Sequence, residues 1–157
     1  MEQDSTKINT FFRFEDLRVY HKALEYIDWV FNNTMLFTGD HLQNLSNRFN
    51  TSAQAIAFYI AEGSSRNKSQ FIYYLKLAKS SVRECVVVTS IAQTQNLLTD
   101  ISVEESRTQL MELTKMIGAL IGSLQKSNSK GRIKGNHKDY DDEDELIPAD
   151  SMDIKKY

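Results

Sequence analysis

The chain has 157 residues, 41% of them hydrophobic and 25% charged, with a formal net charge of −2. This length supports one domain whose core needs neither disulfide nor metal, and the single cysteine, Cys85, excludes an internal disulfide. No apolar run approaches the roughly 20 residues that span a bilayer, and the start Met-Glu-Gln-Asp-Ser-Thr-Lys lacks a secretory signal pattern, so a cytoplasmic chain without a membrane partner is expected.

The only proline is Pro148, so long helices are permitted through the first 147 residues. After an N-terminal extension, residues 1–13, the carboxylates of Glu15 and Asp16 suit a helix start, and Tyr20, Leu24, Ile27 and Phe31 recur at heptad-like steps as its apolar stripe. Asp40 with Gln43 has the spacing of a capping box for a second helix, whose stripe is Leu42, Leu45, Phe49, Ala53, Ile56 and Ile60. Gly63, just past the last apolar position, is expected in the left-handed conformation that closes a helix. Asn67 with Gln70 caps a third helix that runs to about Gln95 through Phe71, Leu75, Ala78, Val82, Cys85 and Thr89. Residues 96–101 read as a connection. Ser102 with Glu105 then reads as the capping box of a fourth helix, with Val103, Ser106, Leu110, Leu113, Ile117, Leu120 and Leu124 along one seam. Gly118 and Gly122, four apart, predict close approach of a neighbouring backbone.

Short connections force sequential helices antiparallel, so the expected fold is all-α: an up-down-up-down four-helix bundle over residues 14–126. Residues 127–157 form a charged tail, Ser/Asn/Gly/Lys-rich and then acidic from Asp139 to Glu145, whose composition predicts disorder, with Leu146-Ile147-Pro148 as a docking segment.

Phe14-Glu15-Asp16-Leu17, Lys22-Ala23, Ile60-Ala61-Glu62-Gly63 with Arg66, and Phe71, Leu75, Ala78, Ser81 and Glu84 together resemble a bacterial four-helix-bundle family. That family was first noticed in intervening sequences of large-subunit ribosomal RNA genes, and it includes the accessory variability determinant of diversity-generating retroelements. The resemblance covers about residues 12–126. It implies a ring-like homopentamer without catalytic activity. For the retroelement member it also implies a positive surface that binds nucleic acid and a reverse transcriptase as partner. The chain departs from the family pattern at Ala55-Ile56-Ala57 and Tyr59, where the family usually carries a Ser-Ile-Pro-like stretch and an Asn.

The candidate chemistry is electrostatic. Residues 48–93 hold six basic side chains, Arg48, Arg66, Lys68, Lys76, Lys79 and Arg83, against Glu62 and Glu84, so a chain of pI near 5.9 still has a positive middle. Lys76, Lys79 and Arg83 fall within about 60° on a helical wheel, with Arg66 and Lys68 at the entry of the same helix. Such a stripe suits RNA or DNA phosphates, and Tyr73 and Tyr74 stand beside it for base stacking or for packing. Glu62, in the last turn of its helix, opposes the macrodipole and calls for a basic partner, Arg66 being the nearest. His21, His41 and His137 are scattered and no metal-ligand spacing, phosphate-cradling loop or nucleophile elbow is present, so neither catalytic residues, a metal nor a cofactor is expected. Two readings follow. One is a homo-oligomeric nucleic-acid-binding accessory; the other is a protein-interaction scaffold that touches no nucleic acid.

Overall fold

A computed structural model describes residues 11–129; the tail from 130 onward and most of the N-terminal extension lie outside the described residues. A 3-10 turn, Arg13–Asp16, leads into four helices: α1 (Arg18–Thr34), α2 (Gln43–Ser64), α3 (Lys68–Thr94) and α4 (Asp100–Ser129). A second 3-10 turn, Asp40–Leu42, precedes α2. The described residues contain no strand, and the expected four-helix bundle is what they form. α1 packs on α2, α2 on α3, α3 on α4 and α4 back on α1, so the helices form a closed square in chain order. The α2–α3 edge is the most extensive and α1–α4 the slightest.

The core is a single cluster drawn from all four helices, with Tyr26, Phe49, Ile56, Ile60, Leu75, Leu110, Leu113 and Ile117 fully buried. In α2, α3 and α4 the heptad stripes point inward as their spacing predicts, except that Leu42, Leu45, Phe71, Leu120 and Leu124 lie only partly buried toward the ends. In α1 the inward stripe is one residue earlier than expected. Val19, Ala23, Tyr26, Val30 and Thr34 fill the core, whereas Tyr20, Leu24, Ile27 and Phe31 lie on the flank, Leu24 and Phe31 being 41% and 45% exposed.

A buried chain of hydroxyls explains that choice. Thr89 Oγ1 donates to the Cys85 carbonyl at 2.8 Å, leaving Thr89 to accept from Ser106 Oγ, also at 2.8 Å. Ser106, its proton spent, accepts from Tyr26 Oη at 2.9 Å. Facing inward, Tyr26 therefore finds in α4 the acceptor that its buried hydroxyl requires. Burial raises the phenol of Tyr26 well above its ordinary range, and it pushes the Cys85 thiol up to about 12, helped by the adjacent Glu84.

The helix starts differ from the sequence reading at two places, Asp40 and Ser102. Asp40 makes no capping bond; it lies in the 3-10 turn, and Gln43 instead donates to Asn47. Asn67 does cap α3, its Oδ1 accepting from Gln70 N at 3.0 Å. At α4 the cap is Thr99, whose Oγ1 accepts from Ser102 N at 3.1 Å, so the helix begins two residues before Ser102, and Glu105 accepts from Trp29 Nε1 instead of closing a box. The left-handed residue that ends α3 is Asn96, at φ 56°.

Gly63 is also corrected. It does not take a left-handed turn but continues α2, which ends at Ser64 with Ser65 as its right-handed cap. Its requirement for glycine is one of space: a Cβ there would come within 2.7 Å of Tyr74 Cβ and 2.8 Å of Phe71 Cδ2, where α3 crosses α2. Gly118 and Gly122 show the reverse, with nothing within 4 Å of a Cβ, so the close packing expected of them is absent within the chain.

Substitutions at these glycines test the packing. Gly63→Ala gains up to about 1 kcal/mol of helix propensity but overpacks the α2–α3 crossing, for a net loss of about 1–2 kcal/mol in urea unfolding, whereas Gly118→Ala should stabilise by about 0.5–1 kcal/mol. A Gly63→Ala chain at least as stable as the parent would refute the close-approach account. The fold also holds Cys85 and Tyr26 protonated, so their contribution is complete below the ordinary pKa values of 9.0 and 10.0 and is lost as pH climbs above them. Unfolding free energy should fall above about pH 9, and labelling of Cys85 by a disulfide reagent at about pH 8 should proceed only at the unfolding rate.

Candidate nucleic-acid interface

The basic residues singled out in the sequence separate into two groups in space. Arg48 is spent on α3, pairing through Nη2 with Glu84 Oε1 at 3.2 Å, while Glu84 Oε2 accepts from the buried Ser52 Oγ at 2.8 Å. Arg66 pairs with Glu62, as expected, its Nε lying 3.0 Å from Glu62 Oε1 across one helical turn. The guanidinium also sits 5.7 Å from the centre of the Tyr74 ring, which in turn packs against Tyr59 and Tyr73. Glu62, Arg66 and Tyr74 therefore brace the α2–α3 turn, with Arg66 half exposed beyond it.

Lys76, Lys79 and Arg83 form the second group. They share one side of α3 with Ser90, which accepts from Arg107 Nη2 of α4 at 3.1 Å, so their side is the outer flank next to α4. Glu84, the acidic residue of this helix, lies about 100° away toward α2. Among the described residues no carboxylate pairs with Lys76, Lys79 or Arg83; Arg83 donates to Ser80 Oγ at 3.1 Å. Lys76 and Lys79 are half-buried, which is how long stems lying along a helix with solvated ammonium heads present themselves. Lys68 is exposed in the first turn of α3, where the sequence placed it.

The structure adds Arg107, which a single-helix wheel could not reveal. Its bond to Ser90 extends the cationic line of α3 onto α4 two turns beyond Arg83. The pairs Thr89–Ser106 and Ser90–Arg107 also fix the antiparallel register of the two helices, placing Gly118 level with about Ala78 and Gly122 with about Tyr74. Gly118 and Gly122 therefore leave open space on α4 at the levels of Lys76 and Lys79. Tyr73 is exposed at the same end, whereas Tyr74 is taken up by Arg66 and Tyr59.

On the opposite side of the square, α1 and α2 present an apolar face. The side of α1 that meets α4 carries Lys22, Tyr26 and Trp29, which bond to Glu112, Ser106 and Glu105. The flank bearing Leu24 and Phe31 therefore turns outward beside α2, where Phe58 is 69% exposed. Phe11, Phe12 and Phe14 continue this face around a groove of about 370 Å³ shared with Phe58, Ala61 and Glu62.

Among the described residues no helix is long and apolar enough to cross a membrane, and no three His, Cys, Asp or Glu residues are grouped as metal ligands. No curated protein matches the chain. The family model of the 23S rRNA-intervening sequence protein matches residues 15–119, from the N-terminal 3-10 turn through most of α4 and about two thirds of the sequence. With the helices, the braced α2–α3 turn and that match in agreement, the chain belongs to the 23S rRNA-intervening sequence protein family.

Proposed function

We propose that the protein is a non-enzymatic, homo-oligomeric accessory that binds RNA or DNA through phosphate contacts along the α3–α4 face. The observation that carries this reading is the row of Lys76, Lys79 and Arg83 on one outer flank, unpaired by any carboxylate among the described residues and prolonged by Arg107. Uncompensated cations in a line attract a phosphate backbone without reading bases, so binding is salt-sensitive and sequence-tolerant. Lys68 and the exposed edge of Arg66 lie at the start of the same helix and lengthen the positive track.

Oligomerisation is supported by the opposite face. Leu24, Phe31, Phe58, Phe11 and Phe12 are large apolar side chains left to solvent on one side of the isolated chain, the pattern of a subunit interface. A ring closed through the α1–α2 faces leaves every α3–α4 face outside and repeats its charge around the assembly. The pentamer and the reverse transcriptase partner are what the family resemblance suggests for this arrangement. The same apolar face also supports the second reading, a scaffold that holds partner proteins and no nucleic acid.

Light scattering at micromolar concentration should return about 90 kDa for five chains of 18.1 kDa. Leu24→Glu with Phe31→Glu should reduce it to one chain with helicity retained; a parent already monomeric would end the ring model. For the basic face, the triple variant Lys76→Gln, Lys79→Gln, Arg83→Gln keeps helix propensity and touches no core position. For every phosphate that the variant no longer neutralises, the slope of log affinity against log salt should become shallower by about 0.7 on single strands or about 0.9 on duplex DNA. A folded, assembled triple variant with parental affinity and slope would leave the scaffold reading in its place.

A further inference from the structure

The end of α4 and the sequence beyond it bear on what occupies the basic face in the absence of nucleic acid. α4 is described as far as Ser129, and the register set by Thr89–Ser106 and Ser90–Arg107 brings that residue level with Asn67, the cap of α3. From that level Lys76 lies about 14 Å and Arg83 about 24 Å along α3, at about 1.5 Å per residue. Residues 130–138 follow, and then Asp139, Asp141, Asp142, Glu143, Asp144 and Glu145 place six carboxylates within seven positions. Nine residues can reach at most about 30 Å, enough to bring the acidic run alongside Lys76 and Lys79 and on toward Arg83.

The other cations with assigned partners offer less. Arg48 has Glu84, Arg66 has Glu62, and Lys22 has Glu25 and Glu112. The open flank beside Gly118 and Gly122 lies on α4 level with Lys76 and Lys79. We propose that the acidic run 139–145 seats along the outer flank of α3 of its own chain, at Lys76, Lys79 and Arg83, as a built-in counterion that a phosphate backbone has to displace. Only the consequence for nucleic-acid affinity rests on the proposed function; the seat itself does not.

Carbodiimide cross-linking of the full-length protein tests the seat directly, because it joins a lysine ammonium to a carboxylate touching it and needs no nucleic acid. The pair Lys22–Glu25, 3.1 Å apart, is the internal control. At about 20 mM salt, mass spectrometry should find Lys76 or Lys79 joined to peptides containing residues 139–145, and those links should fade at about 500 mM, where the Debye length shrinks to a few ångströms. Control links without Lys76 or Lys79 links overturn the proposal, as do acidic-run links confined to Lys130, Lys134 and Lys138. In mixed 15N-labelled and unlabelled protein, links must stay within one label; links only across labels overturn the same-chain seat. As the functional arm, the full chain with all six acids changed to Asn or Gln should bind a single-stranded RNA oligonucleotide at least about threefold more tightly at low salt, with the difference vanishing at high salt. If neither chain binds RNA, the proposed function fails while the cross-links still decide the seat. If both bind with equal affinity, the counterion role is overturned.

Discussion

The buried hydroxyl chain from Tyr26 through Ser106 and Thr89 to the Cys85 carbonyl is the constraint on which the arrangement of this bundle depends. Apolar stripes specify that helices pack but tolerate sliding and rotation, since one leucine fits a greasy seam about as well as the next. A hydroxyl buried without a partner costs about 1–3 kcal/mol, and although Thr89 can always donate to the Cys85 carbonyl of its own helix, the hydroxyls of Tyr26 and Ser106 find their partners across helices only in this register. The hydroxyl chain therefore fixes the rotation of α1 and the sliding of α3 against α4. The outward faces of α1, α3 and α4 follow from the same few bonds.

One consequence is the division of labour between opposite sides of the square. With Tyr26 inward, Leu24 and Phe31 are turned onto the α1–α2 face beside Phe58, while Val87 and Ile91 of α3 and Ile101 and Met111 of α4 are exposed elsewhere. With Thr89 against Ser106, Ser90 meets Arg107, and the cations of α3 line up on the α3–α4 face. The molecule thus separates the cations of α3 and α4 from the aromatic side chains around Phe58. Its near-neutral composition conceals that separation, because net charge is a sum over the chain and binding responds to its distribution.

The fold was largely legible in the sequence because α2, α3 and α4 each offer one dominant stripe. α1 offers two at identical spacing, and Tyr20, Leu24, Ile27 and Phe31 outweigh Val19, Ala23, Tyr26 and Val30 in bulk, so hydrophobicity alone selects the wrong one. The polar partner that decides between them, Ser106, is 80 residues away. Capping boxes at Asp40 and Ser102 failed for a local reason: a competing acceptor, Thr99, started α4 earlier, and a 3-10 turn took the place of the cap at α2. At Gly63 the right residue carried the wrong reason, since turn chemistry and close helix crossing both favour glycine and only the latter involves Phe71 and Tyr74. In the candidate site, the lysine stripe could be drawn on a wheel. Arg107 could not, because its membership depends on the register between helices.

The pairing of charges then turns a simple count into a surface. Six basic and two acidic residues lie between positions 48 and 93, and both acids are consumed on the α2 side of α3. Glu84 is anchored there by Ser52 as well as Arg48, and Glu62 is held one helical turn from Arg66 at the braced end of α2. Had Glu84 been placed about a quarter-turn round α3, at an i,i+4 position to Lys79, it would have neutralised that lysine in its own helix. Instead the acids stabilise the α2–α3 edge, and the compensation that nearby carboxylates would have supplied is withheld from the far flank. The positive face is thus a by-product of how the most extensive helix packing in the bundle satisfies its own charges.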